Sequence, residues 1–154
     1  MNNADKNKGE SIKYWIALTI ESIGIAIVLI RGIPFYQTLT LHYETYTPES
    51  GGLYIAVLAI LLIQIPYWYK QNKGCIPTVP KSNFLSVIIA FIARMFIIFA
   101  GAFFTVLFLI RSDGWVGVHP SKFIIFLTVI FSIFCYCRDL EELAVVFKVR
   151  KIRD

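Results

Sequence analysis

The chain has 154 residues, 57% of them hydrophobic and 16% charged, with a formal net charge of +5 and a mean hydropathy of +0.67. A soluble domain is about 45–50% apolar and about 25% charged, so this composition points to a chain largely dissolved in lipid. Nine Gly, six Pro and three Cys exclude a collagen-like repeat, a Pro/Gly-rich disordered tract and a disulfide scaffold.

A bilayer core of ~30 Å needs roughly 20 predominantly apolar residues as helix, because lipid offers no partner to exposed backbone polar groups. Four stretches meet that need. The polar arm 1–11 precedes the first span, 12–30, which is broken only by Glu21. That stretch is too long for a signal-peptide core and has no clear small-residue cleavage site, so it is expected to be retained. The second span, 53–69, opens after Gly51-Gly52 and closes through Pro66; the third, 84–110, carries only Arg94. Its length implies tilt or a protruding end. The fourth, 121–137, starts behind Pro120, and the tail 138–154 follows it.

Basic residues orient these spans. Lys6, Lys8 and Lys13 lie in or beside the arm, Lys70, Lys73 and Lys81 in the second connection, and Arg138, Lys148, Arg150, Lys151 and Arg153 in the tail. Arg31, Arg111 and Lys122 alone fall in the first and third connections. Cytoplasmic loops retain Lys and Arg, so both termini are expected in the cytoplasm, as an even number of spans requires. The predicted fold is an all-α, integral membrane four-helix bundle, N-in/C-in, with a cytoplasmic amphipathic helical extension at the C-terminus. The expected location is a bacterial plasma (inner) membrane. Tyr14, Trp15, Tyr67, Trp68, Tyr69 and Trp115 stand where spans meet the interface, as amphipathic rings prefer. The positive charge is accounted for by orientation, and no nucleic-acid partner is expected.

The first connection, 32–52, is rich in aromatic and β-branched residues and reads as an interfacial segment or a short strand pair. His42 beside Glu44 supplies too few ligands for a metal site. Gly74-Cys75-Ile76-Pro77 reads as a tight cytoplasmic turn. Cys135 and Cys137, two apart on a helix, point about 200° from each other and with Cys75 read as free thiols on the reducing side. Leu140, Leu143, Ala144 and Phe147 recur at i, i+3, i+4 and i+7, an amphipathic helix pattern. With Lys148, Arg150, Lys151 and Arg153 it forms either a lipid anchor or a docking face for a partner.

Glu21 and Arg94 carry the most information, because an ionisable group inside the bilayer normally faces protein and finds a partner. The first and third spans run in the same direction and hold these charges at similar depth, so a pair across adjacent helices is expected. Ala17 and Gly24 share a face with Glu21; Ala90, Gly101 and Thr105 share one with Arg94. Small residues at such spacings let helices approach closely. Three roles stay open for the charges: a structural pair, a proton-coupling site centred on Glu21, or contact of one charge with another subunit. Thr128, Ser132 and Cys135 form a polar stripe on the fourth span, and Gln64 adds an amide to the second. No HExxH, GxSxG or phosphate loop occurs, and the two histidines, His42 and His119, lie in connections. Neither catalysis nor a cofactor is expected.

Gly51-Gly52-Leu53-Tyr54-Ile55-Ala56-Val57 and Ala93-Arg94-Met95-Phe96-Ile97-Ile98, within two hydrophobic hairpins, resemble the ATP synthase protein I family of small four-helix membrane accessory proteins. The resemblance implies a factor assisting assembly of the rotary c-ring or supply of a divalent cation. That family commonly has an acidic residue near the third-helix basic residue, whereas the membrane acid here, Glu21, is in the first. A second likeness, Glu21-Ser22-Ile23-Gly24, is similar to the first helix of small multidrug resistance transporters, which implies proton exchange at Glu21. The two readings are an accessory subunit with a membrane protein partner or a second copy, and a small proton-coupled transporter.

Overall fold

The computed structural model describes residues 3–41, 51–74, 77, 79–105 and 120–148. These form four helices: α1 (Asn3–Leu41), α2 (Gly51–Lys73), α3 (Asn83–Thr105) and α4 (Pro120–Phe147). No strand occurs among the described residues. Two segments, Gly9–Ile33 and Asn83–Ala102, are long and apolar enough to cross a membrane.

Local chemistry sets several helix ends. Gly74 has a φ of 59°, the left-handed conformation that closes a helix at little cost only for glycine, and α2 ends just before it. Pro120 opens α4, where its missing N–H costs nothing. Before α3, the Ser82 hydroxyl accepts the Leu85 N–H at 3.4 Å, an N-cap contact.

α1 is longer than its apolar stretch. It begins at Asn3, so the polar arm is the first part of the same helix. It ends at Leu41, so residues 32–41 are helical and not part of a strand. Their aromatic and β-branched composition favours strands only where a sheet exists to receive them. His42 and Glu44 lie outside the described residues.

Packing follows two hairpins, α1 with α2 and α3 with α4, joined where α2 meets α4; α1 touches α4 lightly. α3 packs on α4, and the helices therefore run across the molecule in the order α1, α2, α4, α3. This corrects the expectation that the first and third spans are neighbours. The core between them contains Tyr14, Leu18, Ile25, Ile63, Ala93, Ala100, Ile133 and Tyr136. Gly24 lets α1 and α2 meet: a Cβ there would lie 2.7 Å from Ile63 Cγ1 and 3.1 Å from the Ala59 carbonyl oxygen. Ala17 is buried too.

The α3/α4 hairpin is fastened at its open end. Ser82 N–H donates to the Phe147 carbonyl at 2.9 Å, and Ser86 Oγ donates to the Ala144 carbonyl at 2.7 Å. The stripe Leu140, Leu143, Ala144 and Phe147 is buried in this fold. The periodicity expected of the tail is present, but its apolar face is occupied and free for neither lipid nor partner.

Polarity is distributed inside out. Phe84, Val87 and Ile30 are 73%, 68% and 69% exposed, whereas Glu21, Lys70, Asp139, Ser86 and Ser132 are buried. Soluble proteins scatter apolar residues over their surfaces, but they rarely seal a charge cluster beneath a shell of Ile, Leu and Phe.

Candidate functional site: a buried acid–lysine–acid cluster

Three helices each contribute one charge to a single point. Glu21 comes from the middle of α1, Lys70 from the last turn of α2 and Asp139 from α4. Lys70 Nζ donates to Glu21 Oε2 at 2.7 Å and makes a second ion pair with Asp139 Oδ2. The side chains of Lys70, Glu21 and Asp139 are 3%, 0% and 3% exposed. The Tyr14 ring lies with its centroid 5.0 Å from Nζ, within the range of a cation–π contact. One ammonium thus holds two carboxylates, and Glu21 Oε1 has no hydrogen-bond partner among the described residues. Burial pushes the Asp139 carboxyl above its ordinary pKa, while the hydrogen bond and charge of Lys70 pull the other way.

The local pattern explains why these residues converge. Ala59, Ile63 and Tyr67 form the buried stripe of α2, and Lys70 is its next member at helical spacing. Its long stem carries the charge along that apolar face to Glu21. On α4, Ser132, Tyr136, Asp139 and Leu143 continue one buried face in the same way.

A second polar layer tightens the contact between the hairpins. Ser22 Oγ donates to the Leu18 carbonyl at 2.8 Å, which leaves it as acceptor for the Tyr136 hydroxyl at 3.0 Å. Gln64 Nε2 donates to Ser132 Oγ at 3.1 Å and approaches Cys135 Sγ at 3.7 Å. Trp68 Nε1 donates to Gln64 Oε1 at 2.9 Å. Ser132 Oγ and Thr128 Oγ1 bond back to the carbonyls of Thr128 and Ile124. Cys135 and Cys137 are free thiols, both buried.

Within the chain, Glu21 is paired with Lys70 and not with Arg94. Arg94 is exposed on α3, and α2 and α4 stand between that helix and α1. Equal depth made the pair plausible in sequence, but the chain order across the molecule separates the two charges. Gly101 and Thr105 share the exposure of Arg94, and a Cβ on Gly101 would meet nothing within 4 Å. Neither is therefore a packing contact among the described residues. Ala90 is half-buried. Of the basic tail, Lys148 is exposed; Arg150, Lys151 and Arg153 lie outside the described residues, as do Cys75 and His119.

Lys70 and Asp139 escape the sequence reading because each falls just past the end of an expected span, Lys70 among the orienting lysines of the second connection and Asp139 in the cytoplasmic tail. The signal was present in their phase: each continues a buried stripe at helical spacing.

No family model matches the chain, nor does any curated protein or solved structure. The resemblances noted above thus rest on their residues alone.

Proposed function

We propose that the chain is a four-span integral membrane protein with both termini cytoplasmic, in a bacterial inner membrane, and that it serves as a non-catalytic accessory or assembly subunit of a larger membrane complex. An ATP-synthase-associated factor is the specific form of this reading. The observation that carries it is the fate of the buried charges. Glu21, Lys70 and Asp139 are spent on one another beneath an apolar shell, which suits a clamp between hairpins better than a substrate site. The positive-inside distribution supports the orientation.

The tagged full-length chain, crosslinked in its native membrane and extracted in mild detergent, is expected to migrate as one discrete assembly larger than itself. Migration as the bare chain after crosslinking overturns the reading.

The rival is a small proton-coupled transporter, favoured by the unpartnered Oε1 of Glu21. In liposomes it requires proton release on addition of a cationic ligand, abolished by Glu21→Gln. The accessory reading expects no such release.

A further inference from the structure

The outer face of α3 is built as a contact surface. Val87, Phe91, Arg94, Ile98, Gly101 and Thr105 follow one another at i, i+4, i+7, i+11, i+14 and i+18, a single stripe along the helix, and all are exposed. Arg94 makes no hydrogen bond or ion pair with a described residue. It sits eleven residues into α3, about 16 Å along the axis, so its guanidinium stands well within a helix apolar enough to cross a membrane. A lone Arg in that setting costs several kcal/mol unless it meets a carboxylate or reaches water. Thr105 Oγ1 is already satisfied by the Gly101 carbonyl at 2.9 Å. The charge is therefore the one unmet polar demand of this stripe, and Gly101, open on its outer side, admits a second helix at close range.

The chain offers no matching acid of its own among the described side chains. Glu21 and Asp139 are held by Lys70, and Glu142 accepts from Arg138 at 3.2 Å. The Ser86–Ala144 bond sets the register of α3 against α4 and places Arg94 level with about residue 136. Glu141 lies five residues nearer the open end of that hairpin, roughly 7 Å away along the axis. Glu10 precedes the apolar part of α1.

We propose that the Arg94 stripe of α3 docks a transmembrane helix of a different protein, one that carries an Asp or Glu near its midpoint. The proposal rests on the accessory reading and names the face and the chemistry by which the partner is held. Gly101 supplies close approach, the flanking apolar side chains supply packing, and the Arg94–carboxylate pair supplies selection, since a helix without the acid leaves the guanidinium unmet.

The test uses the full-length chain, labelled at its N-terminus, in zwitterionic vesicles with labelled 21-residue Leu/Ala transmembrane peptides bearing Glu, Gln or Leu at the centre. Energy transfer should report association of the Glu peptide about tenfold tighter than that of the Leu peptide. Arg94→Leu should abolish the difference, and Arg94→Lys should retain part of it. Circular dichroism should show the helical content of the variants unchanged. Equal association of the three peptides, or a Glu preference that survives Arg94→Leu, overturns the proposal; the first is also what a guanidinium satisfied by lipid phosphate produces. Arg94-dependent association of the chain with itself, stronger than with the Glu peptide, overturns it in favour of a second copy. Co-migration with a native assembly that persists in Arg94→Leu sinks this inference and leaves the accessory reading standing. Binding of the Glu peptide without any native assembly does the reverse.

Discussion

Glu21 and Arg94 sit at similar distances along two apolar helices, and the molecule treats them in opposite ways. Glu21 is wholly enclosed, held by a lysine from α2 that also grips an aspartate from α4. Arg94 looks outward from α3, which packs on α4, on a face turned away from that neighbour. Depth along a helix does not decide whether a charge is structural or available; the number of helices around it does. The face of α1 that bears Glu21 meets α2 and reaches α4, and it is consumed by the fold. The face of α3 that bears Arg94 meets nothing within the described chain.

Mutations separate the two settings most sharply at the cluster. Lys70→Ala strands two buried carboxylates and is expected to cost about 3–5 kcal/mol, read as a large fall in the denaturation midpoint in detergent micelles. The simultaneous change Glu21→Leu, Lys70→Met and Asp139→Leu should recover most of that loss, because an apolar replacement leaves no charge unmet. A double-mutant cycle on Glu21→Ala and Lys70→Ala should be strongly non-additive, whereas one on Glu21→Ala and Arg94→Ala should be additive within roughly 0.5 kcal/mol. Non-additivity in the second cycle would mean that the two charges communicate after all.

Glycines sharpen the same contrast. Gly24→Ala drives a methyl group against Ile63 and the Ala59 carbonyl, and overpacking of this kind costs about 1–3 kcal/mol. Gly101→Ala meets open space and replaces glycine with the best helix former, so thermal stability should hold or rise by up to roughly 1 kcal/mol. Between these lies Ser86→Ala, which removes the bond to the Ala144 carbonyl and should cost about 1 kcal/mol. Smallest of all is Arg94→Leu: the guanidinium is exposed on α3 and bears the same cost whether or not the helices are packed together, so bundle stability should change by no more than about 0.5 kcal/mol.

The four helices were legible because each apolar stretch is long and bounded by Gly, Pro or charge. The close approach at Gly24 was legible too, from the small residues flanking Glu21. Legibility failed where a side chain's meaning depends on which helix lies next to it. Lys70 stands one residue past an aromatic girdle, where lysines usually serve orientation, and nothing local says that its stem runs inward. Asp139 follows Arg138 and precedes two glutamates, so it reads as part of a solvated run, although only Asp139 of the three acids is buried. The stripe Leu140–Phe147 announced a helix with one apolar side but not what covers it. Of the small residues that suggested a contact face on the third span, Ala90 is half-buried, whereas Gly101 and Thr105 are exposed among the described residues.

The contact between Glu21 and Lys70 spans 49 residues of chain, and its consequence falls on the order of biosynthesis. On the proposed membrane reading, the first hairpin leaves the ribosome with its own counter-ion aboard and is expected to enter the bilayer as a neutralised unit before the second hairpin exists. Asp139 is made last and brings the surplus acid, which must enter against a pair already formed. On that same reading, final closure, not initial insertion, is the step at which the electrostatics come due, and a chain halted after α2 is expected to be membrane-embedded already.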